Sequence, residues 1–418
     1  MEIQRPLYLD KIKNRMHNGM IKVITGIRRS GKSYLLFRLF RQYLIQSGVP
    51  SDHILAMELD RLENEQYREP FRLLEYLHGN MKQPGSYYIL LDEVQMLGRF
   101  EEVLNSLLHE ADVDVYVTGS NSKFLSKDII TEFRGRGDEI HVFPLSFQEF
   151  MTTQSDSTTE GWADYITYGG LPLAAIMPTE EQKAQYLDQL FRETYIMDII
   201  ARNKVRQTQE LEDIIDVLAS SVGALTNPTK LQATFQSKLK SKISLNTLRH
   251  YIEYLCNAFL IHEAKRYDVK GRKYIGTPLK YYFEDVGLRN ARLNFRQVEE
   301  THLTENVLYN ELRLRGFNVD VGTVQKRTMD SAAGKRVSTS LEIDFVANQG
   351  RKRYYIQSAF RLPDEEKVRQ EKASLLALHD SFKKIIVVKD AIKPRTDNDG
   401  ILTLGLYDFL LNDDCLEW

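Results

Sequence analysis

The segment Gly26-Ile27-Arg28-Arg29-Ser30-Gly31-Lys32-Ser33 constrains the fold of this chain more than any other feature. It matches G-x-x-x-x-G-K-[ST] at every fixed position, after an apolar run (residues 20–25) that predicts a strand and before an amphipathic run (33–46) that predicts a helix. Glycines let the backbone wrap a phosphate, and the helix N-terminus adds positive partial charge. The segment therefore predicts a phosphate-binding loop, in which Lys32 reaches the β- and γ-phosphates and the Ser33 hydroxyl ligates Mg²⁺. The candidate nucleotide contacts are Gly26, Arg28, Arg29, Ser30, Gly31, Lys32, Ser33 and Tyr34.

Two acidic residues follow a second apolar run, Tyr87–Leu91, which predicts a buried strand. Asp92 is expected to hold Mg²⁺ through water, and Glu93 to polarise the attacking water as a general base. An apolar run followed by Asp-Glu is also typical of a charged strand end in a surface loop. The phosphate-binding loop upstream favours the catalytic interpretation.

A third predicted strand ends in polar residues, and an arginine-rich segment follows it. Ser120 or Asn121 could orient the water or touch the γ-phosphate, or could simply form a turn. Arg134 and Arg136 are candidates for an arginine that a neighbouring subunit supplies to the transferred phosphate, although a solvated arginine, or one that binds a carboxylate of its own domain, is the alternative. Arg28 and Arg29 could equally be solvated. The predicted catalytic residues are Lys32, Glu93, Ser120 and Arg136.

Strands alternate with helices over roughly the first 150 residues, which predicts an α/β domain with a parallel sheet covered on both faces. The whole chain carries 56 Lys and Arg against 58 Asp and Glu, so that a nucleic acid could only be held by a local basic patch. Two cysteines, Cys256 and Cys415, exclude a disulfide framework and a cysteine zinc site. The start of the chain lacks the apolar segment of a signal peptide, and a cytoplasmic location is expected.

A local basic patch is present after residue 260. Basic residues crowd a short β-like stretch that follows the helical run 244–260, and Tyr267 and Tyr274 are interleaved with them. Helices followed by a small hairpin resemble a winged helix, whose wing could neutralise DNA phosphates. A solvated face or an acidic protein partner is the alternative. The basic residues are Lys265, Arg266, Lys270, Arg272 and Lys273.

Five segments together resemble a large prokaryotic family: TGIRRSGKS, ILLDEVQ, VTGSNS, FRGR with VFPLSFQEF, and YGGLP at Tyr168–Pro172. It is the family of AAA+-type P-loop ATPases with an uncharacterised C-terminal domain, which are relatives of the archaeal STAND-like ATPases. The resemblance implies ATP and Mg²⁺ as ligands, a sensor role for Ser120 and the Gly-Arg position for Arg136. It also implies four parts: an ATPase core (1–150), a helical lid (151–207), a winged helix (208–295) and a restriction-endonuclease-like α/β domain (296–418).

The C-terminal part departs from the residues that such a nuclease needs. An acid on its first helix (Glu305 or Glu311) and Asp344 at a strand end are present. On the next strand, Gln357 stands where glutamate is expected and Ala359 where lysine is expected. An amide is a poorer ligand for a hard cation than a carboxylate, and alanine cannot assist the attacking water. The sequence favours a degenerate fold used for binding, unless a displaced lysine such as Lys352 or Lys372 restores the chemistry.

Taken together, the sequence predicts a Mg²⁺-dependent ATPase of the AAA+ type, active as a homo-oligomer, that acts on DNA or is regulated by it through the winged helix. The alternative is a nucleotide-dependent switch or scaffold whose C-terminal parts bind protein. DNA cleavage by the C-terminal domain is a third and less favoured interpretation.

Overall fold

A computed structural model describes residues 2–119, 135–154, 156–238, 240–329 and 336–418 of the chain. The chain divides into two compact units. The first comprises Met1–Leu145, Leu171–Ile176 and Cys256–Leu260, and the second comprises Ser146–Gly170, Met177–Leu255 and Ile261–Trp418.

The first unit is built on a sheet of five strands. They are β1 (Ile21–Thr25), β2 (Ile54–Glu58), β3 (Tyr87–Asp92), β4 (Val113–Thr118) and β5 (Gly137–His141). Their order across the sheet is β2-β3-β4-β1-β5, and each neighbouring pair is parallel. The predicted parallel α/β sheet is thereby confirmed, and the carboxyl ends of all five strands lie at one edge.

Two hydrophobic cores flank this sheet. Alternate residues of β3 enter opposite cores: Ile89 and Leu91 pack on one face, and Tyr88 and Leu90 on the other. A strand buried on both faces needs apolar residues at consecutive positions, which explains the unbroken apolar run in the sequence. The helical segments of this unit are Pro6–Lys13, Lys32–Tyr34, Leu35–Phe40 (π-helical), Arg41–Gln46, Ser51–His53, Leu62–Arg68, Pro70–Asn80, Val94–Met96, Phe100–Leu107 and Pro172–Ala175.

Helices dominate the chain from Ser146 until the second sheet begins. Ser146 and Ser157 each form a capping box with the glutamate three residues later, which fixes the starts of the first two helices. The described helices of the second unit are Phe147–Met151, Thr158–Tyr168, Glu180–Gln189, Leu190–Ile196 (π-helical), Met197–Asn203, Thr208–Ser220, Pro228–Lys238, Leu245–Asn257, Val286–Arg292, Glu300–Leu314, Glu365–Leu376, Leu406–Leu411 and Cys415–Glu417.

The second unit contains a mixed sheet of eight strands. They are β6 (Ile261–Asp268), β7 (Lys273–Phe283), β8 (Asn318–Met329), β9 (Arg336–Gln349), β10 (Lys352–Ala359), β11 (Lys383–Val388), β12 (Arg395–Thr396) and β13 (Ile401–Gly405). Their order is β12-β13-β11-β10-β9-β8-β6-β7.

The hairpin predicted as a wing is formed by β6 and β7, which pair antiparallel. Three helices precede it, as in the predicted winged helix, but β6 also pairs with β8. The hairpin therefore shares a sheet with the C-terminal domain, across the boundary predicted at residue 295. Among the described helices, none combines the length and the apolar character needed to span a membrane.

Candidate nucleotide site

The loop between β1 and the helix that begins at Lys32 has an unusual backbone. Gly26, Arg29 and Gly31 have positive φ angles of 135°, 68° and 97°. A Cβ atom on Gly26 would lie 2.2 Å from the carbonyl oxygen of Val142, so only glycine fits there. Left-handed residues within such a turn produce the backbone concavities that bind anions.

Polar groups suited to a phosphate line this loop. The Lys32 ammonium is buried and donates to the carbonyl oxygens of Gly26 (2.9 Å) and Ile27 (3.0 Å), so it lies inside the loop. The Ser30 hydroxyl is buried and has no hydrogen-bond partner in the part of the chain that the structure describes. A phosphate in the loop would meet the ammonium and the start of the helix together, so these residues fit the predicted ligand. Arg28, Arg29 and Tyr34 are exposed.

Asp92 lies at the carboxyl end of β3 and contacts the phosphate-binding loop. Its carboxylate accepts hydrogen bonds from the hydroxyls of Thr118 and Ser33. Burial raises its pKa, and the two hydroxyls oppose this rise. The carboxylate and the Ser33 hydroxyl thus supply adjacent oxygen ligands of the kind that Mg²⁺ prefers.

Glu93 is half-buried and has a positive φ of 49°. Its amide donates to the Thr118 hydroxyl over 3.1 Å, and its carboxylate accepts a hydrogen bond from the Gln95 side chain. The Thr118 hydroxyl therefore connects the backbone of Glu93 to the carboxylate of Asp92. The sequence did not single out Thr118, although its place at the end of β4 was a usable signal.

Two further carboxylates lie at this edge of the sheet. Glu58 pairs with Asp92 across β2 and β3, and Asp60 follows two residues later. Ligand oxygens of Glu58, Asp60 and Asp92 all lie within 4.8 Å of one another. Sequence reasoning missed Glu58 and Asp60 because only the pairing of β2 with β3 brings them to the site.

Arg5 braces the loop from the N-terminal segment. Its guanidinium is buried and donates to the carbonyl oxygens of Ser30 (3.1 Å) and Phe143 (2.9 Å). It therefore connects the loop to the segment that follows β5. Sequence reasoning also missed this residue, since nothing near Arg5 in the chain indicates its distant partners.

We expect Arg5→Ala to lower ATP affinity by about tenfold, because hydrogen bonds to a buried charged group contribute about 1.5–3 kcal/mol and hold the loop in shape. Titration with a fluorescent ATP analogue measures this change. Lys13→Ala, which removes a charge from the helix that follows Arg5, is the control. A folded Arg5→Ala protein that binds ATP as tightly as the wild type would show that the loop does not need the hydrogen bonds of Arg5.

Of the predicted sensor and arginine residues, the structure describes Arg136. Ser120, Asn121 and Arg134 lie outside the described residues. Arg136 is exposed, and its carbonyl oxygen accepts a hydrogen bond from the Ile21 amide (2.9 Å) at the amino end of β1. The phosphate-binding loop begins at the other end of β1, roughly 16 Å away at 3.3 Å per residue. The predicted role of Arg136 is therefore restricted to a nucleotide held by another subunit.

The second unit brings together only some of the predicted nuclease residues. Of these, Glu305 and Asp344 lie beside the ammonium of Lys280. Glu342 also contacts this ammonium, and neither Glu342 nor Lys280 was a candidate from the sequence. The other candidates have different partners, since Glu311 pairs with Arg315 and Gln357 contacts Ser374. The proposed displaced lysines are also elsewhere: Lys352 pairs with Glu417, and Lys372 with Asp397 and Asp399.

The basic residues of the hairpin differ in exposure. Lys265, Lys270, Arg272 and Lys273 are exposed, whereas Arg266 is half-buried and donates to the Thr323 hydroxyl (2.8 Å). Tyr274 is 61% exposed, and its ring lies 5.4 Å from that of Tyr267. The hairpin thus presents four cations and an aromatic ring to solvent.

Comparisons with known proteins identify an AAA domain in the first part of the chain. Residues 18–151 match the AAA domain family, and residues 159–299 match a domain of unknown function (DUF8612). An uncharacterised protein of Haemophilus influenzae is 33% identical over 417 residues, which cover 98% of both chains. The uncharacterised protein MJ1544 of Methanocaldococcus jannaschii is 25% identical over 396 residues, covering 90% of this chain and 82% of its own.

Solved structures give weaker similarities. The Aeropyrum pernix ORC1 protein in complex with DNA is 12% identical, with a TM-score of 0.29 over 70% of this chain and 92% of that one. Cdc6p of Pyrobaculum aerophilum is 12% identical, with a TM-score of 0.30 over 71% and 94% of the two chains. The loop, the parallel sheet, the AAA-domain match and the full-length H. influenzae relative together show that the chain belongs to the AAA+ P-loop ATPase family.

Proposed function

We propose that this protein is a Mg²⁺-dependent ATPase whose turnover responds to DNA bound at the β6–β7 hairpin. The meeting of the phosphate-binding loop with the acidic end of β3 carries the proposal: Ser33 and Asp92 share a hydrogen bond, and Glu93 follows directly. The family resemblance favours adenine over guanine as the base of the nucleotide. The sequence also lacks an Asn-Lys-x-Asp segment, which would read guanine.

Each residue of the site has a separate task in this reaction. Lys32 neutralises the β- and γ-phosphates, and the left-handed backbone around Gly31 presents amides to them. Ser33 and Asp92 would hold Mg²⁺, which neutralises charge that develops on the phosphates. Glu93 accepts the proton of the attacking water. The Thr118 hydroxyl positions both acids by its bonds to the Asp92 carboxylate and the Glu93 amide.

Arg136 completes the site from a neighbouring subunit in a homo-oligomer. It is exposed, and the strand register places it at the sheet edge opposite its own loop. An arginine supplied in trans stabilises charge in the transition state of phosphoryl transfer. Turnover would then depend on assembly.

The DNA part of the proposal rests on the hairpin. Its four exposed cations can neutralise phosphates, and Tyr274 offers a ring against which a base can stack. The helix Leu245–Asn257 buries Leu248, Tyr251, Ile252 and Leu255 and leaves Arg249 and His250 exposed. The buried residues are core, and the exposed ones extend the polar surface of this region.

ATP hydrolysis by the wild type is expected to rise when duplex or single-stranded DNA is added. Lys270→Glu/Lys273→Glu should abolish the rise and lower the slope of log binding constant against log salt concentration by about 2, because each lost phosphate contact lowers it by about 1. Steady-state hydrolysis assays and DNA titrations at several salt concentrations measure both effects.

Lys393→Glu/Arg395→Glu is the matched control, since it reverses two exposed charges at or just before β12, the strand at the opposite edge of the same sheet. Hydrolysis that DNA leaves unchanged, with no difference between the two double variants, would contradict the DNA part of the proposal. That result would favour a nucleotide-dependent switch, and a change of oligomeric state with nucleotide would then be the next measurement.

A further inference from the structure

A cluster of charged residues surrounds a buried lysine in the second unit. The Lys280 side chain, on β7, is only 4% exposed. Its ammonium lies 2.8 Å from Glu305 Oε1, 2.8 Å from Glu342 Oε1 and 3.8 Å from Asp344 Oδ1. One ammonium therefore forms ion pairs with three carboxylates.

These three carboxylates come from two elements and meet at the Lys280 ammonium. Glu305 lies on the helix Glu300–Leu314, whereas Glu342 and Asp344 are two residues apart on β9 and so share one face of the sheet. Tyr282 donates to Glu305 over 2.6 Å, and the Ser358 amide donates to Asp344 over 2.8 Å. These bonds fix both carboxylates in place around the cation.

This arrangement has the form of a centre for a hard divalent cation. Such ions are bound by several carboxylate oxygens held at one position. Here a side chain of the protein supplies the positive charge. Two backbone contacts fix the position of Lys280. Lys280 pairs with Ala264 between β7 and β6. Three residues further along β7, the Phe283 amide donates to the Asn306 side chain, on the same helix as Glu305.

We propose that the Lys280 ammonium takes the place of a divalent metal ion among Glu305, Glu342 and Asp344. The cluster is then a closed, metal-free centre that ties the strand β7 to the helix and to β9. It follows that the carboxylate set remains competent to hold a metal, and that Lys280 alone excludes it. Burial and the neighbouring Glu305 carboxylate raise the pKa of Asp344, and the Lys280 ammonium opposes this rise.

The test replaces Lys280 by methionine, which retains most of the side-chain volume and removes the charge. All proteins carry Asp92→Asn, which removes the buried carboxylate of the nucleotide site, and calorimetric titrations with Mn²⁺ are made on the full chain without nucleotide. Any Mn²⁺ held by the remaining acids of that site does not depend on Asp344. The protein with Lys280 intact should show no Mn²⁺ binding that depends on Asp344. Lys280→Met should gain one Mn²⁺ per chain, and adding Asp344→Asn should remove it.

Thermal unfolding supplies an independent readout. Removal of one partner from a buried ion pair is strongly destabilising, so Lys280→Met should melt about 10 °C lower, and Mn²⁺ should restore much of this loss. Lys280→Arg, which keeps a cation at the position, should gain no Mn²⁺ site. If Lys280→Met does not fold, the charge-balanced Lys280→Met/Glu305→Gln replaces it. This double variant should bind Mn²⁺ more weakly, and the binding should still require Asp344.

Two results would overturn the proposal. One is Mn²⁺ binding by the protein with Lys280 intact that Asp344→Asn abolishes, since the cluster would then be an open metal centre. The other is a folded Lys280→Met protein, or its charge-balanced substitute, that gains no Mn²⁺ site. Neither depends on whether the first unit hydrolyses ATP.

Discussion

Glu93→Gln is expected to lower ATP turnover by about 10²- to 10⁴-fold and to leave ATP binding almost unchanged. The amide is similar in size to the carboxylate but cannot accept a proton from water. The backbone of Glu93 is held by its amide bond to Thr118, which the substitution keeps, so the geometry of the site should persist. The loss should therefore appear in kcat, with little change in the dissociation constant for ATP.

Single-turnover hydrolysis and fluorescent nucleotide titration measure these two quantities separately. Glu58→Gln is the matched control, because Glu58 is another carboxylate at the same edge of the sheet, paired in register with Asp92. It should retain far more activity than Glu93→Gln. If Glu58→Gln removes hydrolysis and Glu93→Gln does not, Glu58 is the base and the assignment of Glu93 is wrong.

Much of the first unit could be predicted because its signals are local. A buried parallel strand needs a nearly unbroken apolar run, and β3 has one. In β1 and β4 the run is interrupted only by Lys22 and Asp114, which are buried and pair with each other. The fifth strand, Gly137–His141, was missed. It lies at the edge of the sheet and only Ile140 in it is buried, so its composition is that of a loop.

The residues of the candidate nucleotide site also divide into those with a local sequence signal and those without one. Lys32, Ser33, Asp92 and Glu93 belong to contiguous motifs, in which the strand and the polar residues after it are adjacent in the chain. Arg5 belongs to no motif, and its partners are 25 and 138 residues away. Only the tertiary fold brings such residues together, and a single sequence does not reveal their proximity.

Lys280 illustrates a further limit on inference from motifs. The nuclease pattern directed attention to Gln357 and Ala359 on β10, and to Lys352 and Lys372 as displaced lysines. The cation instead comes from β7, in the hairpin that precedes the C-terminal domain. The tertiary fold of the second unit, rather than any local pattern, brings Lys280 to Glu305, Glu342 and Asp344.

Lys32→Ala is expected to weaken ATP binding by about 10- to 100-fold, since the ammonium makes charge-assisted contacts with the phosphates that contribute about 1.5–3 kcal/mol. Hydrolysis at a fixed ATP concentration should fall further, by about 10²- to 10³-fold, because the same charge stabilises the transition state. This pattern differs from that of Glu93→Gln, in which binding persists.

Two companion variants separate charge from packing. Lys32→Met keeps most of the buried side-chain volume, so a loss equal to that of Lys32→Ala would assign the effect to the ammonium rather than to a cavity. Arg28→Ala removes an exposed charge from the same loop and should change ATP affinity much less. If Arg28→Ala and Lys32→Met weakened binding equally, the loop would attract ATP through its net charge alone. The inward position of Lys32, where it donates to the carbonyls of Gly26 and Ile27, argues for the specific contact.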